Sequence, residues 1–256
     1  MIQNFNQYGQ PIGGAVPNWS DRSSPGNVTL SGAFCRIEPL NVEHHADDLY
    51  LAYSSAPDGR DWTYMPVGPF QDIAAYRKFA ESASQSADPK HYAVIDTTLG
   101  KAVGTLSLMR IDPRMGAIEV GYVAFSPLLK QKTTSTEAQF LLMQYVFDEL
   151  QYRRYEWKCD SLNAPSQKTA QRLGFSFEGI FRQAAVYKGR SRDTAWFSIL
   201  DQEWPAIKNA FRAWLSVENF DTNGKQLKSL VEIRNAGLKS CCQSNGITTN
   251  HGFCAC

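Results

Sequence analysis

A mixed α/β fold, a central sheet flanked by helices, follows from two patterns in the sequence. Between residues 91 and 125, three strand-like runs are joined by the short turns TTLG and DPRMG, so neighbouring strands pair as hairpins. From 117 to 160, a strand, a long helix and a second strand follow one another. Such a crossover favours a right-handed parallel arrangement of its two strands. Both patterns together give a sheet with hairpin pairs and one parallel crossover.

Residues 1–32 are rich in Gly, Pro, Asn and Ser and lack periodicity, so an irregular arm is expected. A strand over 33–39 and a helix over 44–54 follow. Residues 57–69 form a loop carrying Trp62 and Tyr64. The spacing of Ile73, Tyr76 and Phe79 marks a second helix over 71–82. Strands come next at 91–96, 101–111 and 117–125. Thr134 is placed to cap the long helix over 135–150, and Glu137 three residues on completes a capping box. The strand over 154–160 closes the crossover. Asn163 opens a short helix ending at residue 173, with Pro165 tolerated in its first turn and Gly174 as its stop. Strands over 175–187 and 194–200 meet across the turn KGRSRD, and a helix over 203–216 closes the domain. The expected organisation is an arm over 1–32, a folded domain over 33–218 and a polar, poorly ordered extension over 219–256.

At 256 residues and 43% hydrophobic content, the chain can bury a substantial core. A net charge of +1 gives no global field for nucleic acid or an anionic membrane surface, and neither partner is expected. No apolar run reaches membrane-spanning length. The opening MIQNFNQYGQPIGG lacks the charged start and apolar centre of a signal peptide. A cytoplasmic monomer or homodimer is the expectation. Cys35 and Cys159 sit in strands and read as buried free thiols. Cys241, Cys242, Cys254 and Cys256 lack paired C-x-x-C knuckles, so no metal is expected, and FCAC does not fit a prenylation signal.

The chemistry concentrates in residues 119–150, EVGYVAFSPLLKQKTTSTEAQFLLMQYVFDEL. A strand runs into a polar turn with Lys130 and Lys132, and the turn opens a helix. A helix start presents free N–H groups and a positive dipole end, a ready anion site. The pattern implies a phosphorylated cofactor laid along a strand edge.

Four segments, EVGYVAFSP, TSTEA, NAPSQKTAQRLGFSFEG and KGRSRDTAWFSILDQEW, occur in an order and spacing that resemble the GNAT superfamily of acyl-CoA-dependent N-acyltransferases. The branch containing ribosomal-protein N-terminal acetyltransferases is the most similar, and the resemblance covers roughly residues 33–216. It implies a GNAT fold, in which a splayed strand pair of a mostly antiparallel sheet binds acyl-CoA. It implies acetyl-CoA as cosubstrate and no metal. Lys130, Gln131, Lys132, Thr133, Thr134 and Ser135 match the family's pyrophosphate turn, Q/R-x-x-G-x-G/A, with Thr133 where glycine is usual. Val123 and Ala124 would offer backbone groups to the pantetheine arm. Asn163 matches an asparagine that bonds pantetheine, or else simply caps its helix. Ser166 resembles a serine proposed as general acid to the departing thiolate, or else caps the first helical turn. The tyrosine that many members use for that step falls at Ala170.

Amine acylation requires a proton acceptor. Glu119 begins the central strand near where several GNAT enzymes place a base, and is otherwise a strand-edge charge. Glu178 either faces the acceptor or pairs with an arginine. A glutamate proposed as base in some ribosomal members falls near Ala185. Trp62, Tyr64 and Tyr122 are candidates for the acceptor pocket, or else core aromatics. His91 reads as structural or exposed, and Arg192 with Asp193 as a fold-locking ion pair, or else as a pair that binds an acidic acceptor. The implied activity is direct acetyl transfer from acetyl-CoA to an amine of a small molecule or a protein N-terminus. The alternative is a CoA-binding or sensory module of the same fold that has lost catalysis.

Overall fold

The computed structural model describes the backbone of residues 4–244 and the side chains of residues 4–237. The arm carries a small hairpin of β1 (Asn4–Phe5) and β2 (Pro11–Ile12). It then lies along the domain. Trp19 Nε1 donates to the Arg114 carbonyl (2.9 Å), and the Gly26 N–H donates to the Tyr145 hydroxyl (2.9 Å).

The domain is one eight-stranded sheet. Its strands are β3 (Leu30–Ser31), β4 (Cys35–Pro39), β5 (Lys90–Asp96), β6 (Lys101–Asp112), β7 (Ala117–Phe125), β8 (Arg154–Asp160), β9 (Ser176–Tyr187) and β10 (Arg190–Leu200). Their order is β3-β4-β5-β6-β7-β8-β10-β9. Only β7 and β8 run parallel, joined through α3 (Thr133–Gln144) and a π-helical turn, Tyr145–Glu149. This is the mixed, mostly antiparallel arrangement that the GNAT resemblance implied, with the parallel pair where the crossover placed it.

Strand alternation builds two cores. On one face Val120, Trp157 and Phe197 are register partners, packed beneath α3 and α5 (Trp204–Leu215). Phe140 stacks on Phe211 and Phe147 on Trp204, with centroids 5.2 and 5.1 Å apart. On the other face, α1 (Val42–Ser54) and α2 (Ile73–Gln85) bury Leu49, Tyr76 and Ala80 against Ala93, Ile95 and Ala102. Asn41 and Asp72 cap these two helices with their side chains. Cys35 and Cys159 are buried and unpaired, and burial raises both thiols, so they behave as packing groups. The sequence reading of Cys241, Cys242, Cys254 and Cys256 lies outside the described side chains.

Two expectations are corrected. The long helix starts at Thr133 with Lys132 as its cap residue, and Thr134 makes no cap. Glu137 is buried and turned away from the helix start. Its carboxylate accepts from the N–H groups of Ala33 (2.8 Å), Phe34 (2.6 Å) and Cys35 (2.8 Å), fastening α3 to the start of β4. Secondly, the segment beyond 219 is not wholly irregular. Ser229 and Glu232 form a capping box, with the Ser229 N–H donating to Glu232 Oε2 (2.8 Å). It opens α6 (Leu230–Ser244), which buries Leu230 in the main core. Arg234 donates to the Gln171 and Arg172 carbonyls at the end of α4 (Ala164–Leu173). Those interactions supply the ordering that polar composition alone did not suggest.

Candidate active site

The parallel pair β7–β8 stops pairing at Val120 and Trp157, and the strands then diverge. Each strand stays with its other neighbour. On β7, Gly121 pairs with Ser107 and Ala124 with Thr105, so three steps of β7 face two of β6. The extra residue is a bulge, with Tyr122 in the left-handed region at φ 47°. On β8, pairing with β10 continues to Asp160. That end is fixed by the Tyr187 hydroxyl, which donates to Asp160 Oδ2 (2.8 Å), and by the Ser161 N–H on the Asp193 carbonyl (2.8 Å). The result is a fork. Val123, Ala124 and Phe125 stay half-exposed along it and line a pocket with Tyr53, Trp62, Ser126 and Lys130. Tyr53 donates to the Ala124 carbonyl (3.1 Å), tying α1 to the fork's edge.

The turn after β7 is folded onto itself. The Ser126 carbonyl accepts from Leu129 and Lys130, and Ser135 Oγ donates to the Lys132 carbonyl (2.7 Å). The N–H groups of Gln131, Thr133 and Thr134 have no acceptor among the described residues. The positive φ falls at Gln131 (59°), not at Thr133. A glycine's freedom is therefore not required where threonine replaces it. Lys130 is held by the Asp61 carboxylate, whereas Lys132 is exposed and makes no ion pair among the described residues. We predict that Lys132→Ala weakens anion binding at this turn by about 1 kcal/mol, and that the loss shrinks with added salt. Calorimetric titrations at two ionic strengths check this.

Glu119 sits just before the fork and is buried. Its Oε2 lies 3.0 Å from both Lys158 Nζ and Arg110 Nε. Burial raises its carboxyl, while Lys158 and then Arg110 pull it back down. Its Oε1 lies 3.8 Å from where a Cβ on Gly121 would stand, so it faces along the strand toward the fork. Tyr122 meets His91 edge-on at 5.0 Å. His91 is buried, and desolvation brings its imidazole down to about 4, so it is neutral at pH 7.

The early loop roofs the fork. Its short 3-10 turn, Gly59–Trp62, brings Asp61 to Lys130. Trp62 is buried edge-on to Tyr53 and Phe70, so it fills the core and lines the pocket at once. The Tyr64 hydroxyl reaches the Leu162 carbonyl (3.2 Å), on the β8 side. Lys188, from the β9–β10 turn, donates to the carbonyls of Trp62 (2.8 Å), Val67 (3.2 Å) and Gly68 (2.6 Å), and Arg190 donates to Thr63. Lys188→Met is expected to release this loop. Hydrogen exchange should rise over residues 62–68 and stay unchanged over α3, with about 1 kcal/mol lost from the fold.

Residues 35–176, more than half of the chain, match the acetyltransferase (GNAT) domain. The chain belongs to the GNAT family of acetyltransferases. A GCN5-related N-acetyltransferase from Brucella melitensis is 49% identical, with a TM-score of 0.84 and coverage of 86% of this chain and 100% of that one. The uncharacterized N-acetyltransferase p20 of Bacillus licheniformis is 29% identical over 172 residues, 66% of this chain and 95% of the relative. The microcin C7 self immunity acetyltransferase MccE, solved with acetyl-CoA and AMP, is 21% identical, with a TM-score of 0.55 over 66% of this chain and 93% of that one.

In this GNAT chain the fork gathers Glu119, Tyr122, Val123 and Ala124 on one strand, with Trp62 and Tyr64 above. Asn163 uses its side chain to cap α4, accepting from the Ser166 N–H (3.2 Å). Ser166 Oγ accepts from Trp157 Nε1 (3.0 Å). Glu178 is set apart. It lies on the outer strand β9, three strand spacings or about 14 Å from β7. There it is bound by both Arg154 Nη atoms (2.8 and 2.5 Å) and by the Ser198 hydroxyl (2.7 Å). Arg154 also holds its carboxyl below the usual range. Glu178 is an ion-pair partner, and Arg192 with Asp193 is not one. Arg192 bonds Thr194, and Asp193 accepts from the Gln183 N–H. Sequence reasoning overlooked Lys158, Asp61 and Tyr53. Lys158 carried a signal, because Arg154, Glu156 and Lys158 alternate with Tyr155, Trp157 and Cys159 along β8.

Proposed function

We propose that this GNAT enzyme moves an acetyl group from acetyl-CoA directly to an amine of a small molecule or a protein N-terminus. The observation that carries the reading is the fork. An unpaired edge of β7 leads straight into a helix start with unpaired N–H groups. Those N–H groups and the open edge suit a long ligand with phosphate at one end and amides along its arm. Acetyl-CoA supplies the activated acetyl group as a thioester. The N–H groups of Gln131, Thr133 and Thr134, with Lys132, would hold its pyrophosphate. The Val123 and Ala124 backbone would orient the arm. Glu119 would take the amine's proton through Oε1, directly or through one water. Ser166, kept in place by Trp157, would face the departing thiolate. Tyr122, Trp62 and Tyr64 would bound the acceptor.

Titration calorimetry with acetyl-CoA tests cosubstrate use, and no heat at about 1 mM ligand would sink it. CoA release is then measured with a polyamine, an aminoglycoside and short peptides with free N-termini. Release with one class and not the others assigns the acceptor.

A further inference from the structure

Glu119 does not stand alone at the fork. Lys158 is the first residue of β8 past the last pair with β7, as Gly121 is on β7. The Lys158 side chain is only 5% exposed, and its Nζ lies 3.8 Å from the centroid of the Trp196 ring, its register partner on β10. Nζ stands between two carboxylates, 3.0 Å from Glu119 Oε2 and 2.6 Å from Glu156 Oε2. Glu156 is held independently by Arg154 Nε (2.6 Å), so Lys158 is not its only partner.

Glu156 is also the register partner of Glu119 on β8, and its negative charge opposes ionisation of Glu119; the other cations facing Glu119 are weaker or absent. Arg110, on β6, is 62% exposed, and solvent screens its charge. His91, on β5, is neutral at pH 7, and Tyr122, on β7, is an un-ionised phenol. Lys158 is therefore the one buried cation among the described groups in contact with Glu119. Because Oε2 lies within ion-pair distance of the two cations, Oε1 is left on the Gly121 side, beside the Met109 side chain that packs over Gly121.

We propose that Lys158 is a positioning residue for acetyl transfer: its ammonium keeps the Glu119 carboxylate ionised and turned with one oxygen into the fork. The inference rests on Glu119 acting as the base. Without Lys158, a buried carboxylate would keep only the exposed Arg110, and its protonated form would gain. The base would then be switched off at neutral pH and recovered only at higher pH.

The experiment uses the full chain labelled with 13C at the glutamate carboxyls, with the Glu119 signal assigned by its loss in Glu119→Gln. Its titration is followed alongside the pH profile of kcat/KM, using acetyl-CoA and the best amine of the panel above. In Lys158→Met, the Glu119 midpoint and the acidic limb of the profile should move up together by about one pH unit or more. The rate at pH 7 should fall about tenfold, while KM for acetyl-CoA holds. Lys158→Arg should restore both, and Lys158→Gln serves if the methionine variant does not fold. A folded variant whose midpoint and limb stay at their wild-type positions overturns the inference. If Glu119→Gln keeps full activity, the base assignment fails instead, and the titration still reports whether Lys158 governs the carboxyl.

Discussion

Glu137→Ala should be among the most destabilising single substitutions in this protein, costing about 4 kcal/mol. The carboxylate is buried and, among the described residues, is the sole side-chain acceptor for three successive N–H groups leading into β4. A charge-assisted bond contributes about 1.5–3 kcal/mol, and three on one group do not add fully. Truncation also leaves the Cys35 N–H orphaned inside the fold. Gly32 shows how closely the two elements meet, since a Cβ there would lie 2.3 Å from the Glu137 carboxyl carbon. Glu137→Gln should cost less than alanine, because one oxygen remains to accept. Urea unfolding of the three proteins measures this, and a loss below about 1 kcal/mol for alanine would refute the account. The site should suffer too, because Glu137 lies in the first turns of α3, next to the anion-binding turn at its start.

The same residue explains a limit of sequence reading. The pattern S/T-x-x-E occurs at 134–137 and again at 229–232. At 229–232 it is a true capping box and opens α6. At 134–137 it is not, because Glu137 finds three donors at Ala33, Phe34 and Cys35, about a hundred residues away. A local pattern states what a side chain can reach within its own turn, and tertiary donors can outbid that turn. Strand alternation was more dependable on β8, where buried positions repeat every second residue. β8 spans Arg154–Asp160, as periodicity placed it, and its charged face was equally visible. The roof of the site was not. Tyr64 and Leu162 are 98 positions apart, and Lys188 lies more than a hundred from the carbonyls it holds. Nothing periodic in the sequence joins such segments. The turn at 130–135 lay between these cases. Its position was legible, but the left-handed residue within it, Gln131, was not.

Glu119→Gln is expected to lower kcat by about a hundredfold or more, the scale of losing a positioned general base, with little change in KM for acetyl-CoA. The amide has the size of the carboxylate and can still accept from Lys158, so the fork should keep its shape. What it loses is the capacity to take a proton. In the wild type, burial raises the Glu119 carboxyl above its ordinary value even with Lys158 beside it. The base is the ionised form, so the rate should fall as pH drops through that raised midpoint, and the limb should lie above the usual carboxylate range. In the glutamine variant this limb should disappear, leaving a low rate that follows only the acceptor amine's own ionisation. Asp160 offers a control, because it is equally buried yet committed to the Leu162 N–H and the Tyr187 hydroxyl. Asp160→Asn should disturb the end of β8 and lower stability, while leaving the acidic limb in place. A limb that persists in Glu119→Gln would move the proton acceptor to solvent and leave Glu119 as an anchor for Lys158.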